Sequence, residues 1–347
     1  MLNKVLACAA ALAFIAAVPA AAQEQARVNW VEVHSPAIEG NLEGNTASRK
    51  VLVVTPPGYD ENPNKRYPVV YYLHGYWAPV EAQQQGFRLH EAVQAAAEAG
   101  NELIMVMPDG FSKLRGGFYS SSPTVGDYES FIADDLVAWV DGNYRTIATR
   151  ASRGLAGHSM GGYGTARLAM KRPGIFSSIY MMSACCLDPM QMTAEQARTI
   201  EAMTPEQARA IEAMTPEQVA AAQFGELAAV STLATWSPDP SDDGFLKVYT
   251  GLKDDGTIDP LVNQRLAANS PVVLVPQYLP ALNSLEAFAM DIGDKDFLLQ
   301  GNAAFRAELD RFGVKYDFEL YEGDHGNRIA ERIRTEVLPF FGEHLDR

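Results

Sequence analysis

The chain has 347 residues, of which 47% are hydrophobic and 20% are charged, and its formal net charge at pH 7 is −15. A chain of this length can bury a large core in one elaborated domain, or in a domain with a cap. The acidic excess disfavours binding to nucleic acid or to an anionic membrane, and it favours neutral over anionic substrates.

The first residues have the layout of a secretory signal peptide. Lys4 supplies the positive end, an apolar run covers residues 5–18, and three alanines follow Pro19 at positions 20–22. The apolar run is too short to span a bilayer of roughly 30 Å as a helix. We therefore predict a signal peptide at residues 1–22, export to the periplasm or beyond the cell, and no stable membrane anchor.

Strand-like and helix-like patterns alternate along the first half of the chain. Short apolar runs that end in Pro or Gly turns predict buried parallel strands at residues 51–55, 69–73 and 103–107. Further elements are predicted as helices at 89–98, 128–140 and 161–171, and as strands at 153–156 and 175–182. This alternation implies a mostly parallel sheet with helices on both faces.

Residues 192–224 break the pattern with three near-copies of an eleven-residue unit. The copies begin with Met192-Thr-Ala-Glu-Gln, Met203-Thr-Pro-Glu-Gln and Met214-Thr-Pro-Glu-Gln. In the second and third copies, Thr suits a helix N-cap, Pro the first helical position and Gln the capping-box position. These features predict a run of short helices or one jointed helix, which is either a cap over the site or a solvated expansion without function.

Regular alternation resumes near residue 285. A strand at 285–290 leads into a stretch with three aspartates, Asp291, Asp294 and Asp296. A helix at 298–311, a final strand at 314–320 and a C-terminal helix at 326–344 complete the prediction.

The segment Gly157-His158-Ser159-Met160-Gly161 follows a predicted strand and precedes a predicted helix. This is the context of a G-x-S-x-G nucleophile elbow. Because the chain turns sharply there, side chains at the two glycine positions would clash with neighbouring backbone. We predict that Ser159 is a nucleophile at a helix N-terminus, where the helix dipole favours developing negative charge.

A serine nucleophile needs a general base that a carboxylate orients, and this fold places them in the order Ser, acid, His. His325 lies in a flexible loop after the last strand and is the predicted base, whereas His344 near the end of a helix is expected to be a surface residue. For the acid, Asp296 is preferred over Asp294, because it lies in the turn that enters the following helix. The aspartate that is not the acid is expected to be a helix N-cap.

The reaction also requires an oxyanion hole. The backbone N–H of Met160, the residue after the nucleophile, is the first predicted donor. The N–H of Tyr76 is the second, because Gly75 lets the loop after residues 69–73 turn its amides inward. His74 is expected to be structural rather than catalytic.

At these residues the sequence resembles the putative-esterase family, which includes esterase D (S-formylglutathione hydrolase), feruloyl esterases, enterochelin esterases and bacterial mycolyltransferases. The matching stretches are residues 67–76, 107–110, 128–144, 157–164, 293–298 and 322–325. The resemblance implies an α/β-hydrolase fold for residues 23–347, with Asp296 on the acid motif and Tyr76 on the second oxyanion position. The insertion at about 188–282 carries no match, which leaves substrate recognition there open.

These observations predict a secreted serine carboxylesterase that uses no metal or cofactor and acts on a small-molecule or carbohydrate ester. An acyltransferase with the same triad and a non-catalytic binding protein on this scaffold are the alternatives. Export argues against formylglutathione hydrolysis, which is a cytosolic task. Five aromatic residues near the site either receive an aryl or sugar ester or belong to the core: Tyr76, Trp77, Phe118, Tyr119 and Tyr128.

Overall fold

The computed structural model describes residues 25–76, 79–222 and 224–347. The predicted signal peptide and Trp77 lie outside these ranges. The strands, in chain order, are β1 (Arg27–His34), β2 (Ser48–Thr55), β3 (Val69–Leu73), β4 (Ile104–Pro108), β5 (Ser121–Ser122), β6 (Gly126–Asp127), β7 (Arg153–His158), β8 (Ser178–Met182), β9 (Ala287–Gly293) and β10 (Asp317–Tyr321).

The helices, in chain order, are α1 (Val80–Phe87), α2 (Leu89–Glu98), α3 (Tyr128–Ser130), α4 (Val137–Asn143), α5 (Met160–Lys171), α6 (Ala194–Glu201), α7 (Pro205–Glu212), α8 (Pro216–Ala221), α9 (Phe224–Trp236), α10 (Pro260–Ala267), α11 (Pro271–Leu274), α12 (Leu279–Leu282), α13 (Leu299–Arg311), α14 (Ile329–Arg332) and α15 (Leu338–His344). Two π-helical segments, Phe131–Leu136 and Ile333–Val337, join α3 to α4 and α14 to α15. Short 3-10 turns lie at Pro36–Ile38, Arg150–Ser152 and Val275–Gln277.

Eight strands form the central sheet in the order β1-β2-β4-β3-β7-β8-β9-β10. β2 pairs antiparallel with β1 and β4, and the pairings from β4 to β10 are parallel. The carboxyl ends of the parallel strands therefore meet along one edge, where α/β sheets carry their binding sites.

Each central strand feeds a core on both faces of the sheet. On β3, Val69, Tyr71 and Leu73 join one apolar cluster, whereas Val70 and Tyr72 join the other. The period of two explains why β3 is apolar at every position, since strands with both faces covered read as continuous apolar runs. The mostly parallel sheet with helices on both faces confirms the predicted fold class.

Three predicted strands begin too early. β8 begins at Ser178 rather than 175, β9 at Ala287 rather than 285, and β10 at Asp317 rather than 314. In each case the apolar residues before the strand belong to the connection that leads into it. For β10, Gly313 follows α13 with a φ of 68°, and the Val314 N–H donates to the Leu309 carbonyl. Apolar residues in such turns still pack against the core. A prediction based on apolar composition therefore includes them in the strand and begins it too early.

Helices α6 to α12 lie between β8 and β9. The capping boxes predicted for the second and third repeats are present, and the first repeat has one too, with Thr193, Thr204 and Thr215 as the N-caps. The repeats are therefore three separate short helices. In the described ranges, no helix is long and apolar enough to cross a membrane.

Candidate active site

Ser159 occupies a sharp turn between β7 and α5. Its backbone has φ 56° and ψ −114°, a strained conformation for a residue with a side chain. A Cβ on Gly157 would lie 2.3 Å from the Gly161 carbonyl oxygen, and one on Gly161 would lie 1.8 Å from the Leu73 carbonyl oxygen. Both positions therefore require glycine, and the turn presents Ser159 at the N-terminus of α5.

The side chains of Ser159, His325 and Asp296 form one hydrogen-bonded chain. His325 Nε2 lies 3.0 Å from Ser159 Oγ, and His325 Nδ1 lies 2.9 Å from Asp296 Oδ2. The three groups come from the turn after β7, the loop after β10 and the loop after β9. An imidazole between a serine hydroxyl and a carboxylate is the arrangement that activates serine as a nucleophile.

Asp296 is buried, and its environment favours the charged form. Burial raises the pKa of its carboxyl, but the hydrogen bond and the charge of His325, with the N–H of Leu298, bring the pKa below its usual value. The Leu298 N–H donates to Oδ1 over 2.9 Å, which leaves Oδ2 for the imidazole. The carboxylate is thus fixed in place on both oxygens.

The other candidate carboxylates and the second histidine lie elsewhere. Asp294 accepts the Gly323 N–H over 3.0 Å, so it holds the loop before His325, and the expectation of a helix N-cap is wrong for it. Asp291 is buried against Arg332 and Tyr180, and burial raises its pKa to about 6. His344 packs against Phe340 at the end of α15, outside this group.

Met160 and Tyr76, the two predicted oxyanion donors, both lie beside the turn that carries Ser159. Met160 is the first residue of α5, and the first four N–H groups of a helix have no intrahelical acceptor. A Cβ on Gly75 would contact Ser159 Cβ at 3.4 Å, so the loop that leads into Tyr76 passes directly over the nucleophile. Both predicted donor residues are therefore next to Ser159.

The side chains of His74 and Gln83 hold this loop. Gln83 Nε2 donates to the Gly75 carbonyl over 2.7 Å, and Gln83 Oε1 accepts the Gly75 N–H over 3.3 Å. His74 is fully buried, its Nδ1 donates to the Gly75 carbonyl over 2.8 Å, and its Nε2 accepts the Gly110 N–H over 2.8 Å. His74 is thus part of the loop's support, and the role of Gln83 has no sequence motif that could have revealed it.

A cleft of about 960 Å³ opens onto Ser159 and His325. Its apolar lining comes mainly from Phe87, Phe297, Ile329, Ala330, Val219 and Ala222. Phe297 is 63% exposed, and its ring centroid lies 4.7 Å from that of His325. Neither phenylalanine was predicted, since a single aromatic residue in a loop or at a helix end has no periodic signal.

Most of the aromatic residues that the sequence placed near the site lie outside this cleft. Tyr76 lines the cleft, but Phe118, Tyr119 and Tyr128 have no exposed surface and belong to the core. For these three residues the core alternative is correct. Tyr76 itself is only 2% exposed, and its hydroxyl accepts a hydrogen bond from Ser231 and lies within hydrogen-bond distance of the carbonyls of Leu114 and Leu227.

The strand order and the strand–turn–helix at Ser159 define an α/β-hydrolase. The chain belongs to the Putative esterase family, whose match covers residues 45–328. An esterase of Mycobacterium tuberculosis is 36% identical over 133 residues, which are 37% of this chain and 27% of that protein. The chain thus spans about a quarter of the length of the curated relatives it matches.

Solved structures resemble most of the chain. A ferulic acid esterase has a TM-score of 0.65 at 21% identity, with 93% of this chain and 100% of that chain covered. An S-formylglutathione hydrolase from Agrobacterium tumefaciens has a TM-score of 0.60 at 17% identity, with 94% and 98% covered. At these identities the likeness shows the fold.

Proposed function

We propose that the protein is an exported serine carboxylesterase that works through an acyl-enzyme on Ser159. The observation that carries the proposal is the unbroken hydrogen-bonded chain from Ser159 through His325 to Asp296, at 3.0 and 2.9 Å, at the floor of an open cleft. Membership of the esterase family supports the same chemistry.

The first half of the reaction forms the acyl-enzyme. Ser159 Oγ attacks the ester carbonyl while His325 Nε2 takes its proton, and Asp296 stabilises the imidazolium that results. The N–H groups of Met160 and Tyr76 donate to the oxyanion of the tetrahedral intermediate. His325 then returns the proton to the leaving alcohol as the C–O bond breaks.

Water completes the cycle. His325 takes a proton from a water molecule as it attacks the acyl carbonyl, and the acid product leaves when Ser159 recovers its proton. These steps need only groups that the chain itself supplies.

The apolar walls of the cleft favour an ester with an aryl or medium-length apolar group. Phe297 offers an exposed aromatic face beside His325, and a ring that stacks on such a face gains about 0.5–1.5 kcal/mol beyond its area burial. The similarity to a ferulic acid esterase makes a feruloyl-type ester the specific candidate.

Export rests on the signal-peptide pattern of residues 1–22. N-terminal sequencing of protein recovered from outside the cytoplasm tests it. A mature chain that begins at Gln23 supports export, and recovery of a cytoplasmic chain that retains Lys4 contradicts it.

Hydrolysis of p-nitrophenyl esters from acetate to decanoate, together with methyl ferulate, tests the function. We expect turnover by the wild-type protein and loss of several orders of magnitude in kcat for Ser159→Ala, with unchanged folding by circular dichroism. A preference for methyl ferulate over short alkyl esters supports the feruloyl assignment, and equal or weaker activity on it contradicts that assignment. Equal turnover by both proteins contradicts the role of Ser159.

A further inference from the structure

The three repeat units share a pattern of inward-facing positions. The sixth residue of each unit is Ala197, Ala208 or Val219, and the ninth is Ile200, Ile211 or Ala222. Residues three apart lie on one face of a helix. In the first unit both residues are buried, at 0% and 3% exposure, and pack in the main apolar cluster.

The third unit uses the same two positions differently. Val219 and Ala222 line the cleft that contains Ser159 and His325. The face that binds the core in the first unit therefore faces the space above the nucleophile in the third. Val219 is buried and Ala222 is half-buried, so this wall still packs against its neighbours.

The sequence of the third unit differs from the other two at the position that lines the cleft and at two nearby positions in the sequence. At the ninth position Ala222 replaces the isoleucine of both earlier units, which removes apolar bulk from the cleft wall. At the seventh and tenth positions, Ala220 and Gln223 replace the arginine and the glutamate of the earlier units. The third unit therefore has less apolar bulk at Ala222, which lines the cleft, and its sequence lacks the arginine and the glutamate of the earlier units.

A buried arginine holds the junction before this wall. Arg115 donates from Nη1 to the carbonyls of Ile211, Glu212 and Met214, over 3.0, 3.3 and 3.0 Å. The carbonyls of Ile211 and Glu212 lie at the C-terminal end of α7, where a cation is favoured by the helix dipole, and that of Met214 lies just beyond it. Because Arg115 is 1% exposed and lies in the loop that contacts Tyr76 through Leu114, the junction is fixed relative to the oxyanion loop.

We infer that the third repeat is the size-determining wall of the substrate cleft, with Val219 and Ala222 as specificity-determining residues for an apolar group of the ester. The space at Ala222 admits an aryl or medium-length alkyl group, and an isoleucine there would exclude it. The kinetic part of this inference rests on the proposed esterase function, whereas the binding part does not.

The test restores the residue of the earlier units by Ala222→Ile. We expect the ratio of kcat/KM for p-nitrophenyl octanoate to that for acetate to fall about tenfold, since misfit of one or a few methylene groups in a pocket has effects of this size. The loss on acetate should be smaller than the loss on octanoate, because the shorter acyl group fills less of the cleft. The matched control is Ala210→Ile, which adds the same bulk at an exposed position of α7 and should leave the ratio unchanged.

A binding measurement separates this inference from the proposed function. In the Ser159→Ala background, Ala222→Ile should weaken the Kd for p-nitrophenyl octanoate about tenfold by isothermal titration calorimetry. Absent acetate hydrolysis in the wild-type protein would contradict the esterase proposal, while a weakened Kd would still support the wall. An unchanged Kd, or equal losses on octanoate and acetate in a folded Ala222→Ile protein, overturns the inference.

Discussion

His158 donates a hydrogen bond from Nε2 to the backbone carbonyl of His325 over 2.7 Å. The donor precedes the nucleophile, and the acceptor belongs to the residue whose side chain is the proposed base. Burial and the proximity of His325 lower the pKa of His158 to about 3, so its ring is neutral at physiological pH. His158, at the first variable position of the G-x-S-x-G motif, thus connects the turn that carries Ser159 to the loop that carries His325 by a hydrogen bond.

Loss of this hydrogen bond should reduce turnover without removing a reacting group. His158→Phe keeps a ring of similar size but cannot donate, and we expect kcat to fall about 10- to 100-fold, because small misplacements of a catalytic group have effects of this size. KM should change little, and His158→Gln, whose amide can donate, should lose less. Steady-state kinetics on p-nitrophenyl acetate measure both values, and equal losses for the two variants would contradict the tether.

The same residue should make the fold sensitive to acid. In the unfolded chain His158 takes a proton below its ordinary pKa of 6.5, whereas the folded protein resists protonation until about pH 3. Stability from this residue is therefore complete above pH 6.5 and is lost as the pH falls from 6.5 towards 3, at up to about 1.4 kcal/mol per pH unit.

Urea unfolding of the wild-type protein and His158→Gln measures this effect. Between pH 6.5 and 4 the wild-type protein should lose up to about 3 kcal/mol of unfolding free energy more than the variant does. Parallel pH profiles for the two proteins would show that His158 is not the group responsible.

Asp296 and Asp294 are two residues apart but should respond differently to the same substitution. Asp296→Asn should lower kcat by about four orders of magnitude, since an amide cannot stabilise the imidazolium and favours the wrong tautomer. Asp294→Asn should stay within about threefold of wild type, because an amide oxygen can still accept the Gly323 N–H. The kcat of each variant on p-nitrophenyl acetate shows which aspartate is the acid of the triad. A larger loss of kcat for Asp294→Asn than for Asp296→Asn would contradict the assignment of Asp296.

Gln83 should support the oxyanion hole through the Gly75 peptide. Gln83→Met has a similar shape but makes neither hydrogen bond, so we expect kcat to fall about tenfold, less than when a direct donor is lost. KM should remain near the wild-type value. Gln84→Met is the matched control, because Gln84 contacts Leu89 and His90 instead of this loop; a similar kcat loss there would indicate a general structural effect.

The elbow could be predicted from sequence because its determinants are local. Two glycines, a strand before and a helix after are enough to set the turn at Ser159, and the capping boxes at Thr204 and Thr215 are local in the same sense. The choice between Asp294 and Asp296 is not local. It depends on the loop that carries His325, because the imidazole contacts Asp296 whereas the Gly323 N–H donates to Asp294.

The cleft could not be predicted for the same reason. Phe87 ends α1, whose run of three glutamines gives little amphipathic pattern, and Phe297 lies in a loop. The repeat helices could be predicted from sequence, but the place of the third at the cleft involves Arg115, which lies about a hundred residues before the carbonyls it binds. Contacts between segments so far apart have no sequence periodicity.

Mass spectrometry of the acyl-enzyme is the most direct test of the central claim. Wild-type protein is mixed with p-nitrophenyl acetate, quenched in acid during turnover and digested. We predict the added mass of one acetyl group on the peptide that contains Ser159, and its absence in Ser159→Ala. An acetyl group on another residue of a protein that turns over, or turnover by Ser159→Ala, would contradict the account.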